Sequence, residues 1–235
     1  MDPLVSIIVT SYCKESKAYL ELCMRSISNL SYKNIETIIV GRRAHNMPEY
    51  ENAKTIAPDE ESFWNGRGIN YGVEYSRGDY LFIINDDVVL TKNCLEPLMN
   101  ALELSQIGQV MPAGNDQQGR YHMPHLLQMF HSYGAPMLQD FESSSKPCQV
   151  FADTLCLYAQ MLRRETWDAI GGMDDKSGLI DYDYSLRMRK AGLLNAIELS
   201  SLVWHFGGRS VEHTLDTPWR LKQKEMFRLK WGWSP

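Results

Sequence analysis

The sequence predicts a single α/β domain with a mostly parallel central sheet flanked by helices. Three observations carry that expectation. Short β-branched runs alternate with helical apolar spacing in the first 40 residues or so; the apolar run Tyr80 to Ile84 leads straight into Asp86 and Asp87; and the composition is that of an ordinary globular protein. At 235 residues, 44% hydrophobic and 23% charged, the chain has enough material for one sizeable core and falls outside the disordered and fibrous classes.

Leu4 to Thr10 reads as a first strand, followed by a polar loop from Ser11 to Ser16. Leu20, Cys23, Met24, Ile27 and Leu30 recur at three-four spacing, which predicts a helix over Tyr19 to Leu30. Ile35 to Val40 is a second strand, closed by Gly41, so the opening is a βαβ unit and its strands should run parallel. Arg42 to Ser62 contains Pro48 and Pro58 and reads as loop with one short irregular strand. Gly68 to Ser76 is a helix with Ile69, Val73 and Ser76 inward, and it feeds the strand Tyr80 to Ile84. Leu95 to Leu104 is helical, and Gln109 to Pro112 is a short strand.

Residues 113 to 147 mix Gly, Pro, Ser, Met and His without a period, as a functional loop would; His122, His125 and His131 show no metal-ligand spacing. Strand character resumes from Gln149 to Leu162. Arg164 to Ile170 is a helix closed by Gly171 and Gly172, and Asp181 to Ala191 another, closed by Gly192, with Tyr184, Leu186 and Met188 to pack. Asn195 to Val203 is a last strand, Trp204 to Arg209 a Gly-rich loop, and Pro218 to Trp233 a basic, aromatic, helical tail. Trp219, Phe227, Trp231 and Trp233 are too apolar to leave exposed, so the tail should pack on the domain. Within a single domain, this divides the chain into residues 1–112, 113–217 and 218–235.

A net charge of −5 argues against nucleic-acid binding, which needs a basic face. The cysteines Cys13, Cys23, Cys94, Cys148 and Cys156 are odd in number and without a Cys-x-x-Cys pair; they read as reduced thiols of a cytoplasmic protein. No signal peptide is expected from Leu4 to Val9, and no apolar run approaches the roughly 20 residues of a transmembrane segment.

The chemistry should sit where strands end in acids. Asn85, Asp86 and Asp87 stand at the carboxyl end of the central strand, where open α/β sheets take ligands. Two adjacent carboxylates repel unless a cation or several donors lie between them, and a hard divalent ion meets that need. An Asn-Asp turn is the plain alternative. Asp181 and Asp183 suit a helix start and could act only as caps, but a carboxylate held there can also be aimed as a base. For His205, flanked by Trp204 and Phe206, packing or hydrogen bonding competes with a role as ligand.

Together these runs resemble a family 2 glycosyltransferase of the GT-A type, a Rossmann-like nucleotide-sugar-binding fold, over nearly the whole length. Val5 to Tyr12 resembles the family's opening strand and donor loop, and Asn34 to Val40 its second strand. Gly78 to Val88 resembles the strand leading to the Asp-x-Asp signature, in a rhamnosyltransferase-like form. Arg163-Arg164-Glu165 with Gly171 to Asp175 resembles the run that closes the acceptor side, and Asp181 to Gly192 the family's acidic helix.

The resemblance implies a metal-dependent, inverting transfer of a sugar from a nucleoside diphosphate sugar to a hydroxyl of a glycan, glycoprotein or glycolipid acceptor. Asp87 and His205 would hold Mn²⁺ or Mg²⁺. Ser11, Tyr12, Arg67, Asn70, Asn85 and Asp86 would bind the donor, and Gly172 and Asp174 would line the acceptor pocket. Asp181 would be the catalytic base, with Asp183 as the fallback. Two positions depart from the family pattern: Gly41-Arg42-Arg43 stands where an Asp helps hold the nucleoside, and Ile180 where Glu often precedes the base. A catalytically silent sugar-binding module of the same fold is the alternative. A nucleotidyltransferase would need a Gly-rich basic loop that Ser11-Tyr12-Cys13-Lys14 does not provide.

Overall fold

A computed structural model describes residues 2–11, 17–41, 48–58, 66–114, 148–174, 176–207 and 218–233, apart from the side chains of 219 and 220. The opening βαβ unit is β1 (Val5–Ser11), α1 (Lys17–Ser28) and β2 (Ile35–Gly41), with β1 and β2 parallel from Val5 opposite Ile35 to Ser11 opposite Gly41. The buried face of α1 carries Leu20, Cys23, Met24 and Ile27, the positions its periodicity predicts. The short strand expected before residue 62 is β3 (Ala53–Ile56), which pairs parallel with β2.

Helix α2 (Arg67–Glu74) buries Ile69 and Val73, and Ser76 just beyond it is also buried. Strand β4 (Tyr80–Asn85) then lies parallel to β1. Because α2 links parallel strands, its first turn lies at their carboxyl edge, beside the end of β4. Beyond a two-residue turn, the chain forms β5 (Val88–Leu90), α3 (Leu95–Leu102) and β6 (Ile107–Ala113). The segment read as one strand-like run from Gln149 to Leu162 is two strands, β7 (Gln149–Ala152) and β8 (Ala159–Arg163). They belong to different places in the sheet, since β7 pairs with β9 and β8 lies between β4 and β6.

Strand β8 is antiparallel to β4, with Ala159 opposite Ile84, so residues just before β8 stand beside the end of β4. Helix α4 (Arg164–Ile170) begins at the opposite edge, where the Arg164 amide donates to the Asp79 carbonyl at 2.8 Å. It therefore delivers Gly171 back to the carboxyl edge, where α5 (Ile180–Lys190) starts. Tyr184 and Met188 of α5 are fully buried, while Leu186 is only half-buried. The difference is one of helical phase: Tyr184 and Met188 are one turn apart on the sheet-facing side.

Strand β9 (Leu194–His205) is longer than expected and runs through Trp204 and His205. Its first half is parallel to β6 and its last three residues are antiparallel to β5. The sheet order is β3-β2-β1-β4-β8-β6-β9-β5, with β7 added on β9. The crossover of β9 has a chemical anchor. At its register shift, the buried Glu198 carboxylate accepts from the Cys148 amide at 2.9 Å and from Gln149 Nε2 at 2.9 Å, which ties β7 to the bend.

The tail is helix α6 (Pro218–Trp231). Phe227 is fully buried against the domain as expected, but Trp233 is 45% exposed, and Trp219 lies outside the described side chains. Among the described residues, no helix is long and apolar enough to cross a membrane.

Gly78 shows how tightly β4 is led in. Its amide donates to Ser6 Oγ at 2.7 Å, and that hydroxyl donates to Glu36 Oε1 at 2.6 Å, linking β4, β1 and β2. A Cβ at Gly78 would stand 2.5 Å from the Ser6 amide nitrogen. Gly78→Ala is therefore expected to cost about 1–3 kcal/mol by overpacking, read as a lower urea midpoint at unchanged slope.

Candidate active site

The carboxyl edge of β4 gathers most of the predicted residues. Asp86 and Asp87 form the turn between β4 and β5, and both are buried. Asp86 is fixed on the β1 side: its amide donates to the Thr10 carbonyl at 3.2 Å, and its Oδ2 accepts from Ser11 Oγ at 2.6 Å. Ser11, expected to touch the donor, is itself buried and spends this hydroxyl on positioning Asp86. Asn85 is half-buried, with its Oδ1 3.4 Å from Thr10 Oγ1. Beneath the acids lies Cys23, whose thiol is pushed up first by burial and then by the Asp86 and Asp87 charges.

Asp87 is aimed the other way. Val88 pairs with His205, and the Phe206 amide donates to the Asp87 carbonyl at 3.0 Å. These backbone bonds bring His205 Nε2 to 3.2 Å from Asp87 Oδ1, with side-chain exposures of 13% and 2%. His205 therefore belongs to the strand, not to the Gly-rich loop the sequence suggested. Two cis ligands on one ion, each about 2.1–2.2 Å from it, lie about 3 Å apart, so this pair fits a shared divalent cation. No third His, Cys, Asp or Glu joins them among the described residues.

Sequence reasoning missed Tyr158. It precedes β8, so the antiparallel pairing puts it beside the end of β4, and the Asn85 amide donates to its carbonyl at 2.9 Å. Its ring stacks on His205 with centroids 4.7 Å apart and planes 16° from parallel, and its hydroxyl donates to the Pro112 carbonyl at 3.2 Å. It thus sets the imidazole plane. No local pattern marks this residue, because the contact depends on long-range sheet pairing, of Ala159 with Ile84 on β4 and of β8 through β6 to β9.

The second group surrounds the start of α5. Asn70, in the first turn of α2, donates through Nδ2 to the Met173 carbonyl at 2.9 Å and accepts through Oδ1 from the Met173 amide at 2.8 Å. Its expected contact with a pyrophosphate gives way to a structural one: both ends of the amide hold the loop after α4. Gly172 is likewise shaped by packing, since a Cβ there would meet Asn70 Oδ1 at 2.7 Å, and its carbonyl accepts from Arg187 Nη2 at 2.7 Å. Arg67 is exposed at the start of α2, on the same edge. Tyr12, Asp175, Arg42, Arg43 and the histidines of residues 113 to 147 lie outside the described residues.

Asp181 is half-buried in the first turn of α5, and its Oδ1 accepts from the Tyr182 amide at 3.0 Å. Asp183 differs sharply. It is fully buried and takes Arg187 Nε at 3.0 Å, Lys230 Nζ at 2.7 Å and Trp231 Nε1 at 2.9 Å. A carboxylate so engaged and shut from solvent has no access to an acceptor hydroxyl, so the fallback base becomes a structural residue. Asp174 shares Lys230, at 2.7 Å. Burial alone would raise the Asp174 carboxyl, but Lys230, the Lys176 amide and Arg187 hold it below its ordinary value.

The geometry defines a class before it defines a family: a mixed α/β domain of GT-A type, with an acid-histidine pair at the carboxyl edge of its parallel strands. Residues 6–161 match the sequence profile of glycosyl transferase family 2, about two thirds of the chain, and the chain belongs to that family. No curated protein matches it. Among solved structures, GalNAc-T7 with UDP, GalNAc and Mn²⁺ superposes with a TM-score of 0.70 at 11% identity, covering 97% of this chain and 48% of that one. The mannosyltransferase PcManGT from Pyrobaculum calidifontis, in complex with GDP-Man and Mn²⁺, gives 0.64 at 12% identity, covering 100% and 66%. The chain thus spans about half the length of the first and about two thirds of the second.

Two consequences can be measured. Asp183→Ala is expected to cost about 1–3 kcal/mol in urea unfolding, because it removes the buried acceptor shared by the part-buried Arg187 guanidinium and the Trp231 indole N–H. The Asp174 contribution to stability has a definite sign. Its folded carboxyl titrates below the unfolded one, so the contribution is complete above the ordinary Asp value of about 3.9 and fades as pH falls through the lower folded value. Acid unfolding of Asp174→Asn should accordingly lack that part of the pH dependence.

Proposed function

We propose that this domain is a metal-dependent inverting glycosyltransferase, moving a sugar from a nucleoside diphosphate sugar to a hydroxyl of a glycan, glycoprotein or glycolipid. One observation carries the reading: Asp87 Oδ1 and His205 Nε2 stand 3.2 Å apart at the carboxyl edge of the parallel strands. Membership of glycosyl transferase family 2 supports the same reaction class, and Mn²⁺ with a nucleotide or nucleotide sugar in both structural neighbours supports a divalent ion and a UDP- or GDP-linked donor.

Asp87 and His205 would hold Mn²⁺ or Mg²⁺, which when bound offsets charge on the diphosphate. Asp86 and Asn85, fixed on β1 through Ser11 and Thr10, face the donor from the other side of the turn. Arg67 adds a cation at the N-terminal end of α2, where helix amides also favour phosphate. Asp181 is the base. It accepts the proton of the acceptor hydroxyl as that oxygen bonds to the anomeric carbon and the bond to the diphosphate oxygen breaks, a single displacement that inverts the centre. Ordered by the helix start, its carboxylate is held for that transfer with little reorganisation.

Calorimetry with UDP, GDP, CDP and dTDP, with and without Mn²⁺, tests the donor half. One diphosphate is expected to bind at micromolar strength, with binding lost without Mn²⁺ or in Asp87→Ala; binding indifferent to both changes would contradict the assignment. Tyr158→Ala should weaken Mn²⁺ binding about 10–100-fold by freeing the imidazole, while Tyr158→Phe keeps the stack and most of the affinity. Asp181→Asn should retain diphosphate binding and slow transfer by about 10²–10⁴.

A further inference from the structure

We propose that the C-terminal helix α6 is a clamp for the turn that carries the base, with Lys230 as its positioning residue. Lys230 Nζ lies 2.7 Å from Asp174 Oδ2 and 2.7 Å from Asp183 Oδ1. These carboxylates belong to different elements, the loop after α4 and the first turn of α5, and Asp181 lies between them in the chain. The inference rests on the reading of Asp181 as the base.

The contact is made at several independent points. Trp231 Nε1 donates to Asp183 Oδ1 at 2.9 Å, beside Lys230 on the same oxygen. Tyr182 meets the fully buried Phe227 edge-on, with centroids 6.2 Å apart. Gly178 has φ of +64°, and a Cβ there would overlap the Gln223 carbonyl. Helix α6 therefore lies across the stretch from Asp174 to Asp183 so closely that only glycine fits at the crossing.

Charge explains why a lysine stands there. Two carboxylates drawn together at a partly dry surface repel unless a cation is shared between them. Arg187 answers Asp183 from within its own helix, at 3.0 Å, and its charge is felt at Asp174, but its hydrogen bonds to the loop go to the backbone carbonyls of Ile170, Gly171 and Gly172. Lys230 joins both carboxylates through one ammonium, and it comes from an element remote in sequence. Its grip fixes the loop to the helix start and, through them, the direction of the Asp181 carboxylate. The Asp87–His205 pair takes no part in it, being held by β4, β5 and β9.

The experiment uses the full chain and three variants: Lys230→Ala, Lys230→Arg and Asp174→Asn. Hydrogen exchange over residues 174–183, diphosphate affinity with Mn²⁺, and kcat are measured on each. In Lys230→Ala, exchange over 174–183 should rise about tenfold and kcat fall about tenfold or more, with diphosphate Kd within about twofold of the original. Lys230→Arg should recover most of both losses. Asp174→Asn keeps the buried Asp183 cluster intact and should still raise exchange over the loop, which carries the test if Lys230→Ala fails to fold. Unchanged exchange in Asp174→Asn, or raised exchange with unchanged kcat, would overturn the clamp. A chain with no transferase activity but with exchange responding as described would overturn the reading of Asp181 and leave the clamp as a purely structural lock.

Discussion

The site depends on one pairing: the last residues of β9 run antiparallel to β5, with Val88 opposite His205. Asp87 is one residue before that pair, and the Phe206 amide closes the register by bonding the Asp87 carbonyl. Backbone hydrogen bonds thus set the acid-to-imidazole distance, which is more rigid than any placement by long side chains could be. A slip of one residue would turn His205 to the opposite face of the strand and leave Asp87 without its partner. The long reach of β9, from its parallel start on β6 to its antiparallel end on β5, brings His205 to that meeting.

Around the pair, neighbouring groups are used to hold the acids in place. Ser11 braces Asp86, Tyr158 flattens against His205, and Asn70 ties the first turn of α2 to Met173. Each contact joins elements far apart in sequence, so the carboxyl edge behaves as one assembly. The acidic groups divide into two kinds by their partners. Asp183 is buried and saturated by Arg187, Lys230 and Trp231, whereas Asp87 is buried with an imidazole at a distance that suits a shared cation.

Much of this was legible in the sequence, because local rules govern it. Helical spacing located α1 and α2, β-branched runs located β1, β2 and β4, and the strand-then-acid pattern pointed to Asp86 and Asp87. What was not legible depended on partners brought by tertiary structure. The split of 149–162 into β7 and β8 follows from pairing with different strands, and nothing local in Tyr158 announces a ring on His205. Asp181 and Asp183 look alike at a helix start; Arg187 one turn on and the arrival of α6 separate the half-buried acid from the fully engaged one. Asn70 and Gly172, expected at the ligand, are instead packed against one another, since the chain needs them to join α2 to the loop before α5.

In the proposed reaction, Asp87 and His205 would hold one divalent ion together with a diphosphate. Anomalous diffraction at the manganese edge, from crystals grown with Mn²⁺ and the diphosphate that binds best, addresses it most directly. The account predicts a single peak about 2.0–2.2 Å from both Asp87 Oδ1 and His205 Nε2, with phosphate oxygens completing its shell. A diphosphate bound at this edge with no peak between the two side chains, or with the ion held elsewhere, would contradict it.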